Sequence, residues 1–164
     1  EASRVPLIIF DPRHGNSKRG LRCAALTGNV DFAPTLLQLA GIAAPANMDG
    51  RSLLSLYDDP DSSIHDWLPL INVWGPKQVH SFSVVTKDWK LIRWPYAGKG
   101  FEPTEELYCT AADPLELTNL IAEASASDDR ERMREVYAKA VAKWQSEAVP
   151  YHDYRRFGDR FDRR

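Results

Sequence analysis

Gln78-Val79-His80-Ser81-Phe82-Ser83-Val84-Val85-Thr86-Lys87-Asp88-Trp89-Lys90-Leu91-Ile92-Arg93-Trp94 is the stretch whose reading decides the fold. Two runs rich in β-branched and aromatic residues flank the short polar triplet Thr86-Lys87-Asp88. That pattern predicts strands over 78–85 and 89–94 joined by a tight hairpin. Phe82 and Val84 alternate with serines, and Trp89, Leu91 and Arg93 alternate in the second run. One face of the pair is therefore expected to be covered and the other to be more polar.

Outward from the hairpin, residues 69–74 and 105–109 read as further strands, giving a small antiparallel sheet. After a turn at Asp113-Pro114, Asp128 opens a long helix, with Glu131 three residues later as a capping-box partner. Met133, Val136, Tyr137, Ala140, Val141 and Trp144 recur at helical spacing, so this helix is expected to lie on the covered face of the sheet. The stretch from Val149 is aromatic and charged, and residues 150–164 read as an arm or a tail.

On the N-terminal side, the polar break Tyr57–Ser63 separates a different kind of sequence. Val5-Pro6-Leu7-Ile8-Ile9-Phe10 is almost continuously apolar, as in a strand covered on both faces. Asp11-Pro12-Arg13-His14-Gly15-Asn16 ends it with turn residues, and Cys23–Leu26 suits a short second strand. Asp31–Gly41 predicts a helix, with Asp31 accepting from the first-turn amides, Pro34 in the first turn and Gly41 at the C-terminus. Phe32, Leu36, Leu39 and Ala40 share a face that a neighbouring element is expected to bury. The resulting division is 1–63, 64–149 and 150–164.

The chain has 164 residues, 43% apolar and 27% charged, with a formal charge of -2. Five tryptophans, six tyrosines and six phenylalanines suffice for a core. No broad positive field favours nucleic acid. No apolar run approaches the length needed to span a membrane. Cys23 and Cys109 are too few for a disulfide framework, although their pairing stays open. No Cys-x-x-Cys or His-x-x-x-His spacing suggests a zinc site.

Three blocks, in order, resemble the formylglycine-dependent sulfatases. They are Glu1–Ile9; Val30–Ile42 with Asp49-Gly50-Arg51-Ser52-Leu53; and Lys90-Leu91-Ile92-Arg93 with Glu106-Leu107-Tyr108 and Ala112–Leu120. The resemblance spans roughly residues 1–147. It implies an α/β fold: the end of an alkaline-phosphatase-like α/β/α domain, then a small α+β subdomain with a four-stranded antiparallel sheet and a long C-terminal helix. It further implies a parent that hydrolyses sulfate esters, using formylglycine and a divalent cation, usually calcium (Ca2+).

The family's Cys/Ser-x-Pro-x-Arg nucleophile motif does not occur here. Cys23 is followed by Ala-Ala-Leu and Cys109 by Thr-Ala-Ala. No catalytic residue, metal ligand or cofactor is therefore assigned to this chain. The chain is expected to be inactive alone and to act with an N-terminal catalytic portion of the same protein, on a sulfated small molecule or sugar. A related phosphonate or phosphate ester hydrolase is one alternative, and a non-catalytic binding or scaffold module is another. No compartment is indicated: periplasm, cell exterior and cytoplasm all fit a soluble parent.

His14, Trp74, Lys77 and His80 are the candidate substrate contacts. His14 follows the first apolar run, where open α/β sheets often place ligands, and its bland alternative is a turn with a local salt bridge. The resemblance puts the small subdomain at the pocket mouth. Lys77 and His80 would there meet an anionic sugar or sulfate, and Trp74 would stack on a ring. The alternatives are a solvated lysine, a satisfied sheet histidine and a core tryptophan. Asp31 reads as a cap rather than a metal ligand, Asp49-Gly50-Arg51 as a turn fixed by Arg51, and Asn119 as a local backbone cap.

Overall fold

In the computed structural model the described residues are 3–12, 20–149 and 153–162, the Arg155 side chain excepted. They fall into two compact units, Glu1–Leu68 and Pro69–Arg164.

The second unit is built on a four-stranded sheet of β1 (Leu68–Asn72), β2 (Ser81–Val85), β3 (Trp89–Trp94) and β4 (Thr104–Cys109), in that spatial order. β2 pairs with β3, and β3 with β4, in antiparallel register, with Val84 opposite Leu91 and Leu91 opposite Leu107. The hairpin closes as its polar triplet suggests. The Thr86 amide donates to the Trp89 carbonyl at 2.8 Å, and Thr86 Oγ1 accepts from the Trp89 amide at 3.1 Å. The expected 78–85 strand begins later, at Ser81, because Lys77–Val79 curls into a 3-10 turn.

Alternation puts Phe82, Val84, Leu91 and Leu107 on one face, where all four are buried. A long helix, α3 (Ser127–Glu147), lies on that face with Met133, Tyr137, Ala140 and Val141 buried. Phe82 is the centre of the packing: its ring meets Tyr137 edge-on at 5.2 Å, stacks on Trp144 at 5.4 Å and touches Phe161 at 5.6 Å. Phe161 belongs to a final helix, α4 (Arg155–Phe161), which packs on α3. The charged tail thus contains an ordered helix. Its two phenylalanines, Phe157 and Phe161, are four residues apart and both buried, which a reading by charge alone overlooks.

Two expectations about α3 and β4 resolve differently. Glu131 does not return to cap the helix, which has no side-chain cap; it pairs instead with Arg134 at 2.8 Å. Asn119 does satisfy local backbone. Its Oδ1 accepts from the Leu107 amide at 3.0 Å and the Ile121 amide at 3.1 Å, while the Leu120 amide donates to the Leu107 carbonyl at 2.8 Å. That covers part of the outer edge of β4.

The first unit contains α1 (Phe32–Leu39) and the single-turn α2 (Ser55–Asp58). Gly41, with φ of 70°, ends α1 as expected: its amide donates to the Gln38 carbonyl and that of Ile42 to the Leu37 carbonyl. Asp31 does not cap α1. It is fully buried, with Oδ2 accepting from the Gly28 amide at 2.8 Å and Oδ1 from the Arg51 amide at 2.8 Å; Oδ1 also lies 2.7 Å from His65 Nε2. A preceding amide and two long-range partners therefore take the carboxylate that local spacing assigns to the helix start.

Thr35 extends this seam, donating to the Asp31 carbonyl at 2.6 Å and accepting from the Leu53 amide at 2.9 Å. Arg51 fixes its turn by donating to the Ile64 carbonyl at 2.7 Å. Gly50 is required by close approach, since a Cβ there would stand 1.9 Å from the Val30 carbonyl oxygen.

Val5–Phe10 forms no strand, and neither does Cys23–Leu26. Val5, Ile8 and Phe10 are 74%, 91% and 80% exposed, so the run has the composition of a covered strand without a cover. The expected apolar face of α1 is also open: Phe32 and Leu36 are exposed, and the buried residues of α1 are Pro34 and Thr35. A strand needs a pairing edge and an apolar stripe needs a facing surface, and the described residues supply neither here. Cys23 and Cys109 are free thiols. No helix among the described residues is long and apolar enough to cross a membrane.

Candidate functional site

The turn between β1 and β2 carries three of the four residues singled out by sequence. Gly75 adopts φ of 89°, a left-handed conformation that glycine takes without steric cost. The Val79 amide then donates to the Pro76 carbonyl at 3.1 Å, and Asn72 Nδ2 to the Val79 carbonyl at 3.0 Å. These bonds hold Trp74, Lys77 and His80 within one short turn.

Their surroundings differ sharply. Trp74 is 71% exposed, with one edge against the Tyr154 ring at 6.1 Å. Lys77 opens the 3-10 turn and is exposed. His80 is only 6% exposed. Its Nε2 lies 3.2 Å from the Gly75 carbonyl and its Nδ1 2.6 Å from Arg160 Nη1. A carbonyl only accepts and a guanidinium only donates, so the imidazole is neutral with its proton on Nε2. Phe157 meets the same ring edge-on at 5.6 Å. Trp74 and Lys77 are thus available to a ligand, while the two nitrogens of His80 are committed within the fold. His14 lies outside the described residues.

A concavity of about 270 Å³ is lined by Gln78, Trp94, Tyr96, Phe101, Glu102 and Glu106, among others. At its edge Tyr108 donates to Glu106 Oε2 at 3.1 Å. The Tyr108 hydroxyl is pushed up to about 12, first by burial and then by the neighbouring Glu106 carboxylate.

On the α3-covered face, Glu105 joins Arg93 of β3 to Arg134 of α3, with the two Nε–H donors at 2.9 and 3.0 Å. Burial alone would raise the Glu105 carboxyl. The hydrogen bonds and charges of Arg134 and Arg93 outweigh it and hold the group below the usual carboxylate range. The Arg93 guanidinium also lies 4.6 Å from the centroid of Tyr137. This cluster ties strand to helix. Among the described residues, no group of three or more His, Cys, Asp or Glu is placed to hold a metal ion. The buried Asp31 spends its oxygens on backbone amides and His65, so it does not stand open as a calcium ligand.

The family described as N-sulphoglucosamine sulphohydrolase, C-terminal, matches residues 1–143. This chain belongs to that family. It is 31% identical over 143 residues to the N-acetylglucosamine-6-O-sulfatase of Bacteroides thetaiotaomicron, covering 82% of this chain and 24% of the relative. It is 30% identical over 126 residues to human arylsulfatase K, covering 73% and 22%. Among solved structures, BT4656 in complex with its substrate D-glucosamine-2-N,6-O-disulfate shares the fold with a TM-score of 0.62 at 21% identity, over 77% of this chain and 26% of that one.

The chain therefore spans about a quarter of the length of these relatives. The sulfatase resemblance read from the three blocks holds at the level of the C-terminal domain, and so does the expected small sheet with its long helix.

Proposed function

We propose that this chain is the C-terminal part of a sulfate ester hydrolase and that it supplies part of the substrate pocket wall rather than the reacting groups. The observation that carries this reading is the family match over residues 1–143, together with the sheet-and-helix fold. In this reading residues 1–63 end the large α/β domain, 64–149 form the small subdomain, and the nucleophile lies in a preceding catalytic portion of the same protein. Formylglycine and a divalent cation, Ca2+, would be held there. The exposed apolar run Val5–Phe10 and the open face of α1 suit burial against that portion.

Trp74 and Lys77 would face the substrate. An exposed indole offers a flat apolar surface for a sugar or aryl ring, and an exposed ammonium offers charge to a sulfate. A sulfated sugar is the favoured substrate class. It follows the relatives, whose names specify N-acetylglucosamine-6-O-sulfate ester cleavage in one case and a disulfated glucosamine substrate in another.

The test is sulfate release from glucosamine 6-sulfate and 4-nitrophenyl sulfate. The full-length protein is expected to turn over at least one, and the 164-residue chain neither. Turnover by the isolated chain, or hydrolysis of phosphonate monoesters but no sulfate ester by the full-length protein, would overturn the proposal.

A further inference from the structure

Helix α4 lies beyond the residues that match the family, yet it grips the turn that carries Trp74 and Lys77. Its hold has two ends. At one, Phe161 is fully buried against Phe82 and Trp144, and the Tyr137 hydroxyl donates to the Phe161 carbonyl at 3.1 Å. At the other, Tyr154 meets the edge of Trp74, Phe157 meets His80, and Arg160 Nη1 donates to His80 Nδ1 at 2.6 Å. His80 relays the contact by donating from Nε2 to the Gly75 carbonyl, next to Trp74 and at the left-handed residue of the turn. The connection therefore runs from the core through α4 and His80 to Gly75, in a chain of short polar and aromatic contacts.

We infer that α4 is the positioning element of the Trp74–His80 turn, and that Arg160 is the residue through which it acts. A helix anchored in the core at Phe161 cannot follow a moving turn, so the turn takes its place from the helix. Removing the Arg160 guanidinium leaves His80 Nδ1 buried without a donor, and the imidazole is then free to let go of Gly75. The arrangement makes α4, rather than the sheet alone, the determinant of where Trp74 and Lys77 stand. The consequence for substrate rests on the pocket-wall reading above; the positioning does not.

The experiment compares Arg160→Ala, Arg160→Lys and Trp74→Ala in the full-length protein. Hydrogen exchange of the amides in residues 74–80 is expected to quicken about tenfold in Arg160→Ala, with β3 and β4 unchanged and partial recovery in Arg160→Lys. With glucosamine 6-sulfate, or 4-nitrophenyl sulfate if only that is turned over, KM is expected to rise about fivefold in both Arg160→Ala and Trp74→Ala, with kcat within about twofold.

Unchanged exchange at 74–80 overturns the inference. So does faster exchange spread equally through β3 and β4, because Arg160 would then serve general stability. Local quickening with KM unmoved upholds the positioning role and removes the pocket-wall reading instead.

Discussion

The two units of this chain are held together by different means. Residues 69–164 enclose an apolar core in which Phe82, Leu91, Leu107, Met133 and Phe161 are almost wholly withdrawn from water. Among the described residues of 1–68 the deepest side chain is a carboxylate, Asp31, and the segments around residues 28–35, 50–53 and 64–65 are joined by hydrogen bonds to it, to Thr35 and to Arg51. The aliphatic residues of that unit mostly face outward. Core burial is forgiving of direction and stabilises by area; a polar seam stabilises only while every partner is present. The second unit is therefore expected to resist change by degrees, and the first to fail at single atoms.

The largest expected effect tests the apolar side of this contrast. Phe82→Ala removes the ring shared by Tyr137, Trp144 and Phe161, and is expected to lower stability by about 4 kcal/mol. Urea denaturation checks this; a loss below about 1 kcal/mol would mean that the core collapses around the gap.

The polar side comes next. Asp31→Ala leaves two amides and His65 without their acceptor, and is expected to cost about 3 kcal/mol. Hydrogen exchange should quicken at Gly28 and Arg51, while β2 and β3 keep their protection. Protection lost equally in both units would erase the distinction between a unit held by a core and one held by a polar seam.

The smallest effect concerns the charged cluster inside the apolar unit. Glu105 has a lowered carboxyl pKa, so folding favours its ionised form. Its stabilisation is full above the unfolded-state value of about 4.3 and is lost as pH falls through the lower folded-state value. Glu105→Gln is expected to cost about 1–2 kcal/mol at pH 7 and to flatten the acid limb of the stability–pH curve. An unchanged acid limb would show that Arg93 and Arg134 do not hold the charge.

Much of the second unit was legible because its pattern is local. β3 runs from Trp89 to Trp94 as its composition suggests, and the α3 face follows from spacing. What spacing misses is partnership at a distance. Asp31 looks like a cap because its neighbours are helical, but its Oδ1 serves Arg51 and His65, which lie 20 and 34 residues away.

The site shows the same limit. Exposed Lys77 and the histidine three residues later look equivalent in sequence. Only the fold reveals that His80 is claimed by Arg160, 80 residues on, in a segment that reads as charge. Val5–Phe10 has the composition of a strand, and composition does not say whether a pairing edge exists.

Phe161 carries one more consequence. The family match ends at residue 143, one position before Trp144, whereas the ring that closes the core arrives 17 residues after Trp144. A chain trimmed where the family match stops would lose both rings that cover Phe82 on that side and would present a wet, greasy hollow to the solvent. The edge of the family match and the physical edge of the domain are different places, and only the second encloses a dry interior.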